Sequence, residues 1–181
     1  GVGGAGPAAP PRRDLVRHAR RGLAPHAEGA ATGLGRIGEL PEAEPLRDFV
    51  QRVANALPTT AWGVRAAGDP QQPVRTVAVC GGAGDSFLAA AQEAGVDAYV
   101  TADLRHHPAA EPLAQADVPG TKVPALVDVA HWASEWPWCQ QAADIVTAAL
   151  PDTVEVLVST RRTDPWTVHA GTAADSGRTL A

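Results

Sequence analysis

The chain has 181 residues, of which 45% are hydrophobic and 19% are charged, and this balance is typical of a globular domain and excludes a wholly disordered chain. The formal net charge is −5 and the arginines are scattered, whereas proteins that bind a phosphate backbone present a basic face. No apolar run approaches the ~18 residues that a membrane span requires. We therefore expect neither nucleic acid nor membrane as a partner.

Cys80 and Cys139 are the two cysteines, and they form neither a disulfide framework nor a C-x-x-C pair. The first residues also lack the apolar core of a signal peptide. A reducing, cytoplasmic location is the simplest interpretation. Because the chain begins with Gly1 and not with methionine, we expect a fragment, a processed chain or an incomplete reading frame.

The chain divides into three parts by composition. Residues 1–32 are rich in Gly, Ala and Pro and predict a linker or disordered extension, with a short helix over 14–23. Residues 33–171 predict an α/β domain, which begins with a turn-rich entry at 33–41 and an amphipathic helix ended by Pro58. Residues 172–181 predict a flexible tail.

From Val74 onward, apolar strands alternate with helices. Strands are predicted at 74–80, 98–101, 125–129 and 154–158, after an earlier strand at 60–66. The helices between them are predicted at 87–94, 108–116 and 132–150. This β-α-β-α-β-α-β order predicts an α/β fold with a mainly parallel sheet and helices on both faces. Residues that follow the strands should then share one edge of the sheet.

His131 and Glu135 are the strongest candidates for chemistry. They follow a predicted strand and lie four residues apart, so a helix would place an imidazole and a carboxylate on one face. Asp128 should crowd against them at the end of the strand. A purely structural role for this pair remains open, and two ligands do not complete a metal site, so further ligands must come from elsewhere.

Three other features carry alternatives. Segment 81–84 (Gly-Gly-Ala-Gly) is either a tight strand-to-helix turn, with Asp85 or Ser86 capping the helix that follows, or a site for an anion. A Rossmann-like nucleotide site would rest on this segment alone. His106 and His107, in a predicted loop, either contact substrate or a metal shell or are simply solvated. A cluster of tryptophans favours packing or a subunit contact, and its members are Trp132, Trp136 and Trp138.

Taken together, the stretches 33–41, 77–86, 101–107 and 128–135 resemble the C-terminal part of the Ngg-interacting-factor-three-like dinuclear metal-centre proteins, also named GTP cyclohydrolase 1 type 2 homologues. The resemblance covers roughly residues 33–166. It implies a toroidal homohexamer with two metal ions in each subunit, and it matches His131 and Glu135 to metal ligands. The family's His-His pair belongs to a preceding half that residues 1–32 do not contain, so His106 and His107 are not its equivalents.

The resemblance implies a metal-binding protein and a metal-dependent hydrolase that acts on a nucleotide or phosphoester. The ion would be a divalent metal such as zinc, iron or manganese, a bound water would be the nucleophile, and a small anionic substrate would be a partner. No catalytic side chain is assigned. The alternative is a non-catalytic assembly module in which the metal site is incomplete.

Overall fold

The computed structural model describes residues 22–25 and 32–171, in which strands and helices alternate. The strands are β1 (Ala24–Pro25), β2 (Gly33–Leu34), β3 (Arg36–Pro45), β4 (Val64–Ala67), β5 (Pro73–Ala83), β6 (Ala98–Ala102) and β7 (Ala125–Val129). The helices are α1 (Leu46–Ala56), α2 (Leu88–Glu93), α3 (His106–Leu113), α4 (His131–Glu135) and α5 (Trp138–Ala149), and a 3₁₀ turn at Asp85–Phe87 precedes α2. In this part of the chain, every helix is too short or too polar to cross a membrane.

The main sheet has the strand order β3-β5-β6-β7-β4. Its three central strands, β5, β6 and β7, are parallel. The two outer strands, β3 and β4, pair antiparallel with β5 and β7. The predicted α/β fold is confirmed, and its parallel part is the central β5-β6-β7 unit.

Helices cover both faces of this sheet, as predicted. Successive strand residues point to opposite faces, so Val77 packs in one apolar cluster and Ala78 in another. The Val77 cluster includes Phe49 of α1, and the Ala78 cluster includes Leu88 of α2. The central strands are therefore buried on both sides, and only their ends can present side chains to solvent.

The strand predicted at 154–158 is wrong, because this segment contains neither strand nor helix. The sheet edge beside β7 is instead occupied by β4, which pairs Val64 with Val129. A strand beside β7 would need the free N–H and C=O groups of that edge, and β4 has already paired with them. In the segment predicted as a strand, Leu157 is 89% exposed.

The entry to the domain also differs from its prediction. The segment predicted as a turn-rich entry at 33–41 is mostly strand, since β3 pairs Arg36 with Val79 of β5. Leu23 is buried, and the next two residues pair with β2, so part of the predicted extension contacts the domain. The helix predicted over 14–23 and the tail at 172–181 lie almost entirely outside the described residues.

Two helix boundaries and one strand boundary differ from their predictions. The helix predicted over 132–150 is split into α4 and α5 at Pro137, whose nitrogen has no hydrogen to donate to the preceding turn. Helix α3 begins at His106, so His106 and His107 lie in its first turn and not in a loop. The early strand, predicted from residue 60, begins only at Val64.

Candidate functional site

The candidate site lies where β6 and β7 end side by side. The two strands are in register, with Ala102 opposite Val129, so Asp103 and His131 follow them at the same edge of the sheet. Ala130 has extended backbone, and α4 begins immediately after it at His131. The predicted helical spacing is confirmed, since Glu135 ends the same helix.

The His131 imidazole lies between two carboxylates. Its Nε2 is 3.3 Å from Glu135 Oε2, and its Nδ1 is 2.6 Å from Asp103 Oδ2. The hydrogen bond to Asp103 raises the pKa of His131 above its ordinary value; partial burial opposes this shift, and the nearby Glu135 charge supports it. All three side chains are about half exposed, so the cluster is open to a ligand.

Asp103 is the site residue that sequence reasoning missed. Its φ of 55° lies in the left-handed region, which aspartate tolerates better than most residues. This conformation accompanies the contact between its carboxylate and His131, 28 residues along the chain. Its position directly after a buried strand was the available signal, because the ends of parallel strands meet at one edge.

Asp128, which we expected to crowd against His131 and Glu135, has other partners. It is buried, and its Oδ2 accepts a hydrogen bond of 2.7 Å from Arg65 Nε. Its Oδ1 accepts one of 3.1 Å from the Leu104 N–H. Because both oxygens are occupied, Asp128 positions Arg65 and the loop after β6, and it is not a free ligand.

The glycine segment, residues 81–84, packs closely against α4. Strand β5 extends to Ala83, with an irregular register against β6, so 81–83 is not the simple turn that was expected. Gly82 has a φ of +74°, and a Cβ on it would lie 2.6 Å from Glu135 Oε1. Only glycine allows this close approach of the strand to the Glu135 carboxylate.

Two backbone N–H groups of this segment are engaged within the protein. The Gly82 N–H donates to Ser134 Oγ at 2.8 Å, and the Gly84 N–H donates to the Ala102 carbonyl at 3.2 Å. The Ser134 hydroxyl in turn donates to the His131 carbonyl at 2.7 Å. The Gly82–Ser134 bond ties α4 to β5, and the Gly84–Ala102 bond ties the end of β5 to β6. Both N–H groups are therefore unavailable to the anion that the sequence allowed here.

Two buried hydroxyl groups hold the same segment by hydrogen bonds to its carbonyl groups. Tyr99 donates to the Gly84 carbonyl at 3.1 Å, and Thr101 donates to the Gly82 carbonyl at 3.0 Å. Burial raises the pKa of Tyr99, so its hydroxyl stays protonated as a donor. Neither Asp85 nor Ser86 caps the following helix: the Asp85 carboxylate pairs with Arg105, and among the described residues neither the 3₁₀ turn nor α2 has a side-chain cap.

A cavity of about 570 Å³ opens beside His131 and Glu135. Arg65 brings a positive charge to it, with its guanidinium carbon 4.6 Å from the centre of the Trp62 ring. The wall also contains Asp103, Leu104, Ala130, Trp132, Thr163, Asp164, Pro165 and Trp166. His106 and His107 are not part of this wall; they are exposed on α3, where their rings meet edge to face at 5.2 Å.

The tryptophans of α4 and α5 have different surroundings. The rings of Trp132 and Trp136 are 6.0 Å apart, and Trp136 Nε1 donates to the Ser159 carbonyl at 2.9 Å. Trp138, at the start of α5, is 61% exposed. Packing therefore accounts for Trp132 and Trp136, whereas Trp138 belongs to the surface.

The His131–Glu135 pair fits two positions in the coordination sphere of a metal ion. Bonds of about 2.1 Å at a tetrahedral angle place two ligand atoms about 3.4 Å apart. The observed separation of Nε2 and Oε2 is 3.3 Å. Within residues 22–25 and 32–171, however, no group of three or more His, Cys, Asp or Glu side chains is arranged to hold an ion.

The Duf34/NIF3 (NGG1p interacting factor 3) family matches residues 9–165, which is most of the chain. The chain belongs to the DUF34/NIF3 family. The resemblance read from the four sequence stretches is therefore confirmed. The chain is also similar to relatives that carry the name GTP cyclohydrolase 1 type 2 homolog.

Among these relatives, the Mycobacterium tuberculosis protein is 57% identical over 144 residues, covering 80% of this chain and 36% of the relative. The Streptomyces coelicolor protein is 48% identical over 147 residues, covering 80% of this chain and 50% of the relative. A solved structure of a Bacillus cereus protein related to NIF3 has 30% identity and a TM-score of 0.61, covering 75% of this chain and 35% of that one. The DUF34/NIF3 chain thus spans about a third to a half of these relatives.

Proposed function

We propose that this DUF34/NIF3 chain uses His131 and Glu135 to hold a divalent metal ion such as zinc, iron or manganese. The observation that carries the proposal is the convergence of His131 Nε2 and Glu135 Oε2 at 3.3 Å, while Nδ1 of the same ring is held by Asp103. Imidazole and carboxylate are both ordinary ligands for such ions.

Asp103 supports this role without being a ligand of the same ion. A metal-binding histidine commonly donates its second N–H to a carboxylate, which fixes the tautomer and orients the ring. In this chain the Nδ1–Asp103 contact of 2.6 Å leaves Nε2 as the nitrogen that faces Glu135. The arrangement therefore favours metal binding at Nε2.

The remaining ligands would come from outside the described residues, from a longer chain or from a partner subunit, as in the dinuclear homohexamer that the resemblance implies. A bound divalent ion supplies an activated water for hydrolysis of a nucleotide or phosphoester. In the same cavity, the exposed Arg65 would attract the anionic part of the substrate. A cytoplasmic location belongs to the same proposal.

A non-catalytic assembly role is the second candidate. It is favoured by apolar side chains on α5 and on the segment that follows it, where Trp138 is 61% and Ile145 is 62% exposed. Large exposed apolar groups mark surfaces that associate with other protein. Such a module would associate through this surface without holding metal at His131.

The proposal is tested by elemental analysis of the purified protein after it has been loaded with zinc or manganese and desalted. We expect about one ion or more per chain in the wild type and at least about tenfold weaker metal binding in His131→Ala, because the variant loses an imidazole ligand. Unfolding would not explain this loss, since exposed ion pairs contribute at most about 1 kcal/mol.

His107→Ala is the matched control, because it removes an exposed histidine that does not line the cavity. It should keep the metal content of the wild type. Equal metal content in His131→Ala and wild type, or no metal in the loaded wild type, would contradict the metal function and favour the assembly role.

A further inference from the structure

The backbone conformation of Asp103 needs a restraint that its own side chain does not supply. Its φ of 55° lies in the left-handed region, which is disfavoured for a residue with a Cβ. Its side chain is 55% exposed, so packing contributes little to holding it in place. Its carboxylate nevertheless lies 2.6 Å from His131 Nδ1, and this contact requires a defined position of residue 103. A second contact must therefore fix the backbone there.

That second contact comes from Asp128. Its Oδ1 accepts a hydrogen bond of 3.1 Å from the Leu104 N–H. This N–H belongs to the planar peptide that joins Asp103 to Leu104, so the bond restrains the ψ angle of Asp103. The Leu104 side chain also packs against the apolar cluster that contains Ala78, which gives the loop another anchor. The bond from Asp128 thus acts on the residue whose carboxylate contacts His131.

Asp128 is itself held firmly. It is buried on β7, opposite Thr101 of β6 and Arg65 of β4. Its Oδ2 accepts a charge-assisted hydrogen bond of 2.7 Å from Arg65 Nε. A buried carboxylate with both oxygens engaged cannot turn without leaving a charge and a donor unpaired, which is costly. Asp128 is therefore a firmer anchor than the exposed contact between Asp103 and His131.

We propose that Asp128 is a positioning residue for His131. It holds residue 103 in the left-handed conformation, so that the Asp103 carboxylate keeps the imidazole proton on Nδ1 and leaves Nε2 facing Glu135. Arg65 takes part by keeping the Asp128 carboxylate in place. The benefit for a metal ion rests on the proposed function, whereas the effect on the imidazole requires no metal.

The first test measures the tautomer of His131 from the ¹⁵N chemical shifts of its ring, in EDTA and at a pH at which the imidazole is neutral. We expect the Nδ1–H form to exceed the Nε2–H form by at least about tenfold in the wild type. Asp128→Leu should remove this excess, because leucine has the same branching as aspartate but accepts no hydrogen bond. A wild-type ratio in the folded variant would overturn the proposal.

The second test is a double-mutant cycle on zinc affinity, measured by competition with a metal-sensitive dye. Asp128→Leu should weaken zinc binding by about tenfold in the wild-type background. In the Asp103→Asn background it should cause no more than about a twofold further loss, because it acts through Asp103. A general loosening of the fold would weaken binding equally in both backgrounds, and that result would overturn the positioning role.

Two further variants separate positioning from a loss of stability. Asp85→Leu is the matched control, because Asp85 Oδ1 accepts from the Arg105 N–H at 3.2 Å, one residue beyond Leu104. It should keep the wild-type tautomer ratio. If Asp128→Leu does not fold, replacing Leu104 by its α-hydroxy acid removes only the N–H donor and should remove the same excess. An unchanged ratio in that protein would overturn the proposal.

The positioning role and the metal function can fail separately, because the tautomer is measured without metal. Absence of zinc from the loaded wild type, with the tautomer excess lost in Asp128→Leu, would contradict the metal function and support the positioning role. Zinc bound at His131, with an unchanged tautomer ratio in Asp128→Leu, would overturn the positioning role alone.

Discussion

Strand β6 has an aspartate at each end, and the two aspartates have opposite surroundings. Asp97 precedes the strand, and Asp103 follows it. Asp97 is surrounded by donors, whereas Asp103 shares one imidazole with Glu135. The Asp97 carboxylate therefore stabilises the fold, whereas the cluster of Asp103, His131 and Glu135 still has the capacity to bind a ligand.

At the amino end, the Asp97 carboxylate is saturated. Its Oδ2 accepts from the backbone N–H groups of Arg75 and Thr76 and from the Thr76 hydroxyl, and its Oδ1 accepts from Lys122 at 2.7 Å. Burial alone would raise the pKa of Asp97, but these hydrogen bonds, that from Lys122 foremost, outweigh it and lower the pKa to about 2. This end of the strand needs no further ligand.

At the carboxyl end, the charge is not balanced in this way. Asp103 and Glu135 both contact His131, so two carboxylates face one imidazole. The side chains are about half exposed and border the cavity. A cation is the natural addition to such a cluster, which is why we place the metal here and not at Asp97.

The largest expected effect is on the amino end. Asp97→Ala should lower the free energy of unfolding by about 3 kcal/mol, because several donors lose a charged acceptor. Denaturant unfolding measures this change, and Asp117→Ala, at an exposed aspartate, is the control. The metal content of this variant should equal that of the wild type. A loss of metal in Asp97→Ala would contradict the conclusion that the two ends of β6 have separate roles.

Gly82→Ala should affect both fold and site. A left-handed φ costs alanine about 1–2 kcal/mol, and the new Cβ would lie 2.6 Å from Glu135 Oε1 and displace that oxygen. Gly63→Ala is the matched control, since Gly63 has a similar φ of +69° but nothing within 4 Å of an added Cβ. Both variants should lose similar stability, and only Gly82→Ala should also bind metal more weakly.

Asp103→Asn should weaken metal binding by about tenfold, because the amide no longer provides a charged acceptor for His131 Nδ1. Asparagine tolerates the left-handed conformation of residue 103, so the loop should keep its shape. A competition titration with a metal-sensitive dye measures the affinity. Wild-type affinity in this variant would show that Asp103 does not orient the imidazole.

The smallest effect concerns pH. Because folding lowers the pKa of Asp97, its contribution to stability is complete above the unfolded value near 4 and is lost as pH falls towards about 2. After allowance for solvent screening, we expect a loss of about 1 kcal/mol over this range. Unfolding of the wild type and of Asp97→Asn at pH 5 and at pH 2.5 tests it; equal pH dependence in the two proteins would contradict it.

Sequence patterns predicted the features of this molecule that depend on residues close together in the chain. The pairing of His131 with Glu135 was predictable because helix geometry alone brings residues four apart together. The α/β fold was predictable because strand and helix periodicities alternate along the chain. The break at Pro137 was also readable from the sequence, although we predicted a continuous helix.

Contacts between distant residues were not predictable from these patterns. We expected Asp128 to crowd against His131 and Glu135, but Arg65, 63 residues away, holds its carboxylate. The role of Asp103 depends on His131, which is 28 residues away. Likewise, nothing local in 154–158 shows that β4 already occupies the edge beside β7.

Metal binding at His131 and Glu135 is tested directly by the position of zinc in crystals of the zinc-loaded protein, determined by anomalous scattering. We expect an ion about 2.0–2.2 Å from both His131 Nε2 and a Glu135 carboxylate oxygen, with Asp103 still bonded to Nδ1. Zinc at His106 and His107 or at Asp97, with none at His131, would contradict it.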